Sequence, residues 1–160
     1  MIDNKNTVRF GYACINTYLQ TLKPRIACSR GMIKRTFLAR GKEYASELAL
    51  QNVKDIMPYI EWNKRNNVKV FRLTSCLFPW LSEYEIEDLP DFEKIQANLK
   101  LAGDAAQAAG IRLSFHPGPF NILNSPNDNV VKNCIKDLST HGKIFDLMGL
   151  SRTPFNKINI

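Results

Sequence analysis

The sequence predicts an α/β fold in which short strands alternate with helices, and three observations indicate it. Runs of β-branched and aromatic residues recur along the chain. Segments with apolar residues at helical spacing separate these runs. The 160 residues hold three such strand–helix units and the start of a fourth strand. Alternation of this kind produces parallel strands with right-handed crossovers. We therefore expect one domain, residues 1–160, forming either a small open sheet or part of a larger (β/α) barrel.

The first unit begins with a predicted strand over residues 7–12 (TVRFGY), and a long irregular, basic stretch follows it. Apolar residues near helical spacing predict a helix over residues 43–66. Pro58 lies inside that pattern, and because proline cannot donate a helix hydrogen bond, we expect a kink or restart there. Residues 68–73 (VKVFRL) predict the second strand.

The second and third units are more regular. Residues 91–109 predict a helix that Gly110 ends, and residues 111–116 (IRLSFH) predict the third strand. Ser125 is the expected cap of the next helix, with Pro126 as its first residue. That helix is expected to bury a set of apolar residues and to end at Gly149, the set being Val131, Cys134, Ile135, Leu138 and Phe145. Residues 157–160 (KINI) predict the fourth strand.

Composition places the chain among globular proteins, since 44% of its residues are hydrophobic and 23% are charged. No apolar run approaches the roughly 20 residues that span a bilayer, and the first residues lack a secretory signal. We therefore expect a soluble, intracellular protein with no membrane partner. The four cysteines form no CxxC pair, which favours free thiols over a zinc site or disulfides.

The net charge of +7 favours a polyanionic partner, and the excess is concentrated in one segment. Between Thr21 and Lys42 there are seven basic residues and no acidic one. The segment is interpreted either as a solvated loop or as a loop that contacts phosphates. In the second interpretation the contacting side chains are Lys23, Arg25, Arg30, Lys34 and Arg35, and binding would weaken steeply with salt.

His116 is the first candidate for chemistry because it ends a predicted strand and precedes Pro117 and Gly118. Functional residues of parallel α/β folds gather where strands end at their carboxyl edge. Imidazole is a common metal ligand and a ready acid or base. The alternative is a hydrogen-bonded histidine with no further role.

Several segments, in order along the chain, resemble motifs of the UV damage endonuclease family. HPGPFN, beginning at His116, followed by SPN from Ser125, resembles the family's HPGQFN and SPN. GYACIN from Gly11 resembles its GYxCxN, and FRLTSCLFP from Phe71 resembles its YRxSSxLFP. DLMGL from Asp146 resembles the end of the third barrel helix. The resemblance extends from about residue 8 to the last residue.

This resemblance implies the amino-terminal half of a TIM-type (β/α)₈ barrel with divalent metals, usually manganese, in its mouth. It also implies an enzyme that cuts DNA 5′ to UV photoproducts and so starts excision repair. His116 matches a metal-binding histidine of the family. Tyr12 and Asn16 match residues of the DNA-facing groove, although a packing tyrosine and a loop-capping asparagine are the alternatives. Phe120 matches an aromatic that, with Pro119, probes the lesion, and core packing is its alternative.

The sequence departs from the family pattern at several points. Pro119 replaces the usual glutamine and cannot supply its amide hydrogen bonds. Glu83 lies where some members have a second metal-binding histidine, and its alternative is a solvated acidic loop. His141 is interpreted as a surface or supporting residue. Only the first half of a barrel is expected here, and a second chain could complete it.

Three functions follow from these observations. The first is a metal-dependent endonuclease acting on double-stranded DNA that carries lesions. The second is a catalytically inactive remnant or DNA-binding fragment. The third is a sugar isomerase-like barrel, which also places histidines and acids at strand ends. A salt-sensitive affinity for duplex DNA distinguishes the first two from the third.

Overall fold

The computed structural model describes residues 8–118 and 121–160 of the chain. Four strands and five α-helices alternate along it, with two short 3₁₀ turns at Leu81–Glu83 and Ile86–Asp88. The strands are β1 (Gly11–Ala13), β2 (Val70–Leu73), β3 (Arg112–Phe115) and β4 (Lys157–Ile158). The helices are α1 (Thr17–Thr21), α2 (Lys34–Lys54), α3 (Ile56–Arg65), α4 (Phe92–Ala108) and α5 (Asp128–Leu147).

The four strands form one parallel sheet in the order β1-β2-β3-β4. Tyr12 lies beside Phe71, Phe71 beside Leu113, and Phe115 beside Ile158. Sequential order and parallel pairing are the pattern of consecutive βα units. The predicted α/β fold with three units and a fourth strand is therefore confirmed, and the sheet is open.

The hydrophobic core lies between the sheet and the helices. Phe71, Leu73, Leu113 and Phe115 are fully buried, whereas the residues that alternate with them along the two strands are mostly only half-buried. Helix α4 packs against α2, α3 and α5 on this side of the sheet. The helices therefore cover one face of the sheet, and the alternate residues of each strand face the other way.

The contact between α4 and the end of α5 depends on Gly103. A Cβ atom built on this residue would lie 1.9 Å from the carbonyl oxygen of Met148. Only glycine allows the two backbones to approach this closely. Helix α5 ends at Leu147, and Gly149, two residues later, terminates it as predicted with a φ of +69°.

The amino-terminal third differs from the sequence prediction. The first strand begins at Gly11 rather than Thr7, and Thr7 lies outside the described residues. Val8 and Phe10, predicted to lie in that strand, precede it and are 78% and 77% exposed. The basic stretch is also not irregular throughout. Helix α2 begins at Lys34, nine residues before the expected start, and is broken at Gly41, where φ is +63°.

The break between α2 and α3 confirms the predicted restart near Pro58. It lies at Asp55, so Pro58 is in the first turn of α3, where the missing N–H has no helical partner to lose. The helix over residues 91–109 and the third and fourth strands are also confirmed within a few residues. Cys14, Cys28 and Cys76 are free thiols, as predicted.

Two predictions about α5 are wrong, those for its cap and for Ile135, and the surface alternative for His141 is excluded. Its cap is Asn127, whose side chain accepts a hydrogen bond from the Asn129 amide, and Ser125 instead bonds to the Asn127 amide. Ile135 is 53% exposed rather than buried. His141 is 2% exposed, because its ring packs edge-on against Phe115 with centroids 5.0 Å apart. Within the described ranges, none of the helices has the length and apolarity to cross a membrane.

Candidate functional site

The carboxyl ends of the four parallel strands meet at one edge of the sheet, and candidate residues follow three of them. Asn16 lies three residues after β1, His116 directly follows β3, and Asn159 directly follows β4. In barrels and open parallel sheets this edge carries the functional residues. The architecture therefore places His116 where a site is expected.

His116 is exposed and is held by the chain that leaves β4. Its Nδ1 lies 3.0 Å from the carbonyl oxygen of Asn159, and the Asn159 amide donates to the carbonyl of Phe115 at 2.9 Å. A carbonyl oxygen only accepts hydrogen bonds, so Nδ1 must carry the proton. The neutral ring then keeps a lone pair on Nε2, which is available to a metal ion or a proton.

Glu83 and His116 lie in different surroundings. Glu83 ends the 3₁₀ turn Leu81–Glu83, is exposed, and accepts a hydrogen bond from the Ser82 hydroxyl at 3.2 Å. It lines a cavity of about 820 Å³, and His116 is not among the residues that line this cavity. Across residues 8–118 and 121–160, no three His, Cys, Asp or Glu side chains are grouped so that they could hold a metal ion.

The cavity beside Glu83 brings together segments that follow two neighbouring strands. Ser75 comes from the segment after β2, and Gly118 and Asn121 come from the segment after β3. The Asn121 amide donates to the Asp137 carboxylate of α5 at 2.7 Å and to the Gly118 carbonyl at 3.2 Å. Sequence reasoning did not select Asn121 or Asp137 as site residues, although Asn121 belongs to the HPGPFN segment.

Tyr12 and Asn16 are joined to each other and to helix α3. The Tyr12 hydroxyl donates to Asn63 Oδ1 at 2.8 Å and accepts from Asn16 Nδ2 at 3.1 Å. Asn16 Oδ1 accepts from the Leu19 amide at 3.1 Å and so caps α1, and Asn16 is 5% exposed. In this arrangement both side chains serve the fold, which matches the packing and capping alternatives. A DNA contact by either remains a prediction.

The surroundings of Tyr12 change its acidity. Burial raises the pKa of its phenol to about 12, and the hydrogen bonds with Asn16 and Asn63 offset part of the rise. Its ring packs on Phe71 with centroids 5.2 Å apart and edge-on to Trp62 at 6.1 Å. Tyr12 is therefore neutral at physiological pH and behaves as a packed, hydrogen-bonded side chain.

Some basic side chains between Thr21 and Lys42 form hydrogen bonds or ion pairs within the fold, and others do not. Arg30 forms an ion pair with Asp55 at 2.7 Å and donates to the carbonyls of Ala27 and Arg25. Arg25 donates to the Gln20 side chain at 3.1 Å. By contrast, three exposed cations form no hydrogen bond or ion pair with side chains in the described part of the chain, namely Lys23, Lys34 and Arg35.

The remaining candidates are Pro119 and Phe120, and both lie outside the described residues. Their expected role beside the lesion stays a prediction.

His141, by contrast, lies among the described residues. Its Nδ1 lies 2.8 Å from the Asp137 carbonyl, and its ring is buried on the helix side of β3. The surface alternative for His141 is therefore wrong, and the supporting alternative stays a prediction.

Comparison with known proteins identifies the family. The model of the family described as UV-endonuclease UvdE matches residues 8–160. The chain belongs to the UV-endonuclease UvdE family. Among its relatives, the UV-damage endonuclease of Schizosaccharomyces pombe is 36% identical over 89% of this chain and 24% of its own length. A putative UV-damage endonuclease of Acanthamoeba polyphaga mimivirus is 32% identical over 92% of this chain and 44% of its own.

A solved structure supports the same assignment at the level of the fold. The crystal structure of SacUVDE is similar to this UvdE-family chain with a TM-score of 0.79 and 25% identity. The match covers 95% of this chain and 48% of SacUVDE. This chain therefore spans about half the length of SacUVDE and less than half the length of the two curated relatives named above. The fold corresponds to part of a barrel-type α/β architecture.

Proposed function

We propose that this chain forms part of a DNA repair endonuclease that cuts the phosphodiester backbone 5′ to UV photoproducts. One observation carries the proposal: a UvdE-family chain holds His116 at the carboxyl end of β3 with Nδ1 bonded to the Asn159 carbonyl. The family assignment favours this function over the sugar isomerase-like alternative. The relatives above are named UV-damage endonucleases, and the proposal extends that activity to the protein of which this fold forms a part.

We propose a divalent metal, with manganese preferred, as the cofactor of the complete site. His116 would supply one ligand through Nε2, because the Asn159 carbonyl fixes the proton on Nδ1. The described residues do not by themselves fit a multi-metal cluster, since no group of three candidate ligands occurs among them. The exposed Glu83 lines a different cavity, so we leave it out of the proposed ligand set. The other ligands would come from outside the described residues.

Recruitment of DNA is proposed to depend on exposed positive charge. The chain carries a net charge of +7, and Lys23, Lys34 and Arg35 are free to contact phosphates. Contacts of this kind release counterions and make affinity fall with salt, without reading sequence. Arg25 and Arg30 are already engaged within the fold, so we assign them no phosphate contact.

Lesion recognition is proposed to involve the segment after His116. Pro119 and Phe120 follow Gly118, which lines the cavity between the segments after β2 and β3. The aromatic side chain of Phe120 could enter a distorted base step, because damaged DNA costs less to unstack. The DNA contact predicted for Tyr12 and Asn16 stays a separate prediction, and the proposal does not depend on it, since their polar atoms are satisfied inside the fold.

The function is tested by a nicking assay with the full chain. An end-labelled duplex carrying one UV photoproduct is incubated with the chain and Mn²⁺, beside an undamaged duplex. His116→Ala removes the proposed ligand, and Asn124→Ala is a control at an exposed residue of the segment after β3. Cleavage 5′ to the lesion that is lost only in His116→Ala supports the proposal. Cleavage that persists in His116→Ala contradicts the role given to this residue.

A second candidate is a DNA-binding fragment without catalysis. It is favoured by the exposed cations together with the lack of a metal-ligand group among the described residues. To distinguish this function from the endonuclease, duplex binding is measured over a range of salt concentrations with the same samples that enter the nicking assay. Salt-sensitive binding by a folded chain that does not nick supports this second function. Absence of any duplex binding contradicts both.

A further inference from the structure

Asn52 is a buried polar side chain near the end of α2, and its hydrogen bonds run to two loops outside the helix. The residue is 0% exposed. Its Oδ1 accepts from the Arg30 amide at 2.8 Å, and its Nδ2 donates to the carbonyls of Arg30 at 2.9 Å and Leu77 at 3.0 Å. A buried amide is costly unless its polar atoms are paired, and here both the oxygen and the nitrogen have partners. One side chain therefore ties two loops to α2.

The two loops that Asn52 joins each follow a strand. The first is the basic loop, residues 22–33, which connects α1 to α2. The second is the segment after β2, in which Leu77 is the fourth residue. A further contact links the two loops directly, since Trp80 Nε1 donates to the Met32 carbonyl at 3.0 Å. The basic loop is therefore attached to the carboxyl edge of the sheet as well as to the helix.

Asp55 holds the same loop from a position three residues after Asn52. Its carboxylate accepts from the Ala27 amide at 2.8 Å and forms the ion pair with Arg30 at 2.7 Å. Residues three apart along a helix lie on one face, so both side chains point at the loop. The backbone of the basic loop is thus bonded at Ala27, Arg30 and Met32. An ordered path leads from these bonds into α2.

These bonds determine where two exposed cations lie. Lys34 and Arg35 follow the basic loop directly and begin α2. We propose that Asn52 is a positioning residue for DNA binding, which holds the basic loop so that Lys34 and Arg35 meet phosphates without rearrangement. The inference rests on the proposed recruitment of DNA by these cations. A loop that is ordered before binding costs less to immobilise, so affinity rises although no contact is added.

A second buried side chain of α2 provides the comparison that separates positioning from stability alone. Ser46 is also 0% exposed. Its hydroxyl donates to the Asp91 carboxylate at 3.0 Å and accepts from the Asp91 amide at 2.9 Å. Neither bond involves the basic loop. Ser46→Ala and Asn52→Ala therefore both remove buried hydrogen bonds of α2, but only Asn52→Ala releases the loop.

The role is tested with the full chain and a labelled duplex. Fluorescence anisotropy gives the affinity at several salt concentrations, and circular dichroism verifies that each variant is folded. We expect Asn52→Ala to weaken binding by about fivefold or more at every salt concentration. The slope against salt should not change, because the bound chain still makes the same phosphate contacts. Ser46→Ala should change the affinity by less than about twofold, because it leaves the loop and its cations in place.

A double-mutant cycle shows whether Asn52 acts through the two cations. In the K34M/R35M background, Asn52→Ala should weaken binding by less than about twofold, since the charges that the loop positions are gone. The indole N–H of Trp80 reports on the loop without DNA. In Asn52→Ala its hydrogen exchange, measured by NMR, should be about tenfold faster, whereas Ser46→Ala should leave it unchanged.

A milder variant tests the same loop where Asn52→Ala does not fold. Trp80→Phe keeps an aromatic ring beside Phe37 but removes the bond to Met32, and it should weaken binding by about threefold with an unchanged slope. Absence of duplex binding by the unsubstituted chain overturns both the proposed recruitment of DNA and this role. Equal affinities of Asn52→Ala and Ser46→Ala, or unchanged exchange of the Trp80 indole in Asn52→Ala, overturn the role of Asn52 alone.

Discussion

The guanidinium carbon of Arg9 lies 5.2 Å from the centre of the Phe155 ring. Arg9 precedes β1 and Phe155 precedes β4, so the contact joins residues from opposite edges of the sheet. In a flat sheet, three strand spacings would separate these edges by about 14 Å. The two long side chains therefore bridge the two edges of the sheet near the amino ends of their strands.

The Arg9–Phe155 contact is expected to make a small, measurable contribution to stability. Phe155→Leu keeps an apolar side chain but removes the aromatic face, so it should lower the free energy of unfolding by about 0.5–1 kcal/mol. The coupling is measured by urea denaturation in a double-mutant cycle with Arg9→Met. If the effects of the two substitutions are simply additive, the ring and the guanidinium are not coupled.

The close approach of α4 to α5 predicts that replacing each of two glycines by alanine will have opposite effects on stability. Gly103→Ala places a Cβ 1.9 Å from the Met148 carbonyl oxygen and should destabilise the chain by about 1–3 kcal/mol or more. Gly142→Ala, inside α5, meets no atom within 4 Å and should stabilise it by about 0.4–1 kcal/mol. Thermal or urea unfolding measures both. Equal effects of the two substitutions would contradict the packing described for this contact.

Much of the fold could be predicted because periodicity and strand composition are local signals. The residues 91–109 helix and the strand before His116 were predicted in this way and are confirmed. The first turns of α2 were missed, since the seven residues before its break at Gly41 include three basic ones and are too few to show an apolar helical period. Tertiary contacts produce such elements, and a single sequence does not report them.

Part of the candidate site could also be predicted from local signals in the sequence. A strand pattern that ends in histidine locates His116, but its hydrogen bond with Asn159 depends on how β4 pairs with β3. The burial of His141 could have been inferred from its spacing of four residues from Phe145, which places both on one face of α5. The Asn121–Asp137 contact joins a loop to a helix and has no local signal.

Tyr12 is expected to make the fold sensitive to alkali. The unfolded phenol loses its proton near pH 10.0, whereas the folded phenol keeps it up to about pH 12. The folded state binds more protons in this window, so stability should fall as the pH rises through it. Burial also raises the pKa of Tyr59 and Tyr84, which act in the same direction.

Tyr12→Phe tests this interpretation and the hydrogen bonds together. At neutral pH the variant leaves the Asn16 and Asn63 amides without their shared partner and should lose about 1–3 kcal/mol. Its stability should fall less steeply than that of the unsubstituted chain between about pH 10 and pH 12. Urea denaturation at several pH values measures both effects, with Tyr18→Phe as a control at an exposed tyrosine. Parallel pH profiles for the two variants would contradict the assignment.

The basic segment is expected to separate into structural and DNA-contacting residues. The Arg30–Asp55 ion pair has side chains only 27% and 20% exposed, so Arg30→Met should lower the free energy of unfolding by about 1–3 kcal/mol. Arg35 is exposed on α2, and Arg35→Met should change stability by less than about 0.5 kcal/mol.

Under the proposed function, the two variants should also differ in DNA binding. Here the effect is expected for Arg35→Met and not for Arg30→Met. Loss of one phosphate contact reduces the slope of log affinity against log salt by about 0.9, and we expect this change for Arg35→Met. Arg30→Met should leave the slope unchanged, because its guanidinium is already occupied by Asp55 and two backbone carbonyls. Fluorescence anisotropy with a labelled duplex, measured at several salt concentrations where both variants are folded, gives the slopes. A reduced slope for Arg30→Met alone would reverse the assignment, since it would mean that the partly exposed Arg30–Asp55 ion pair opens to contact DNA.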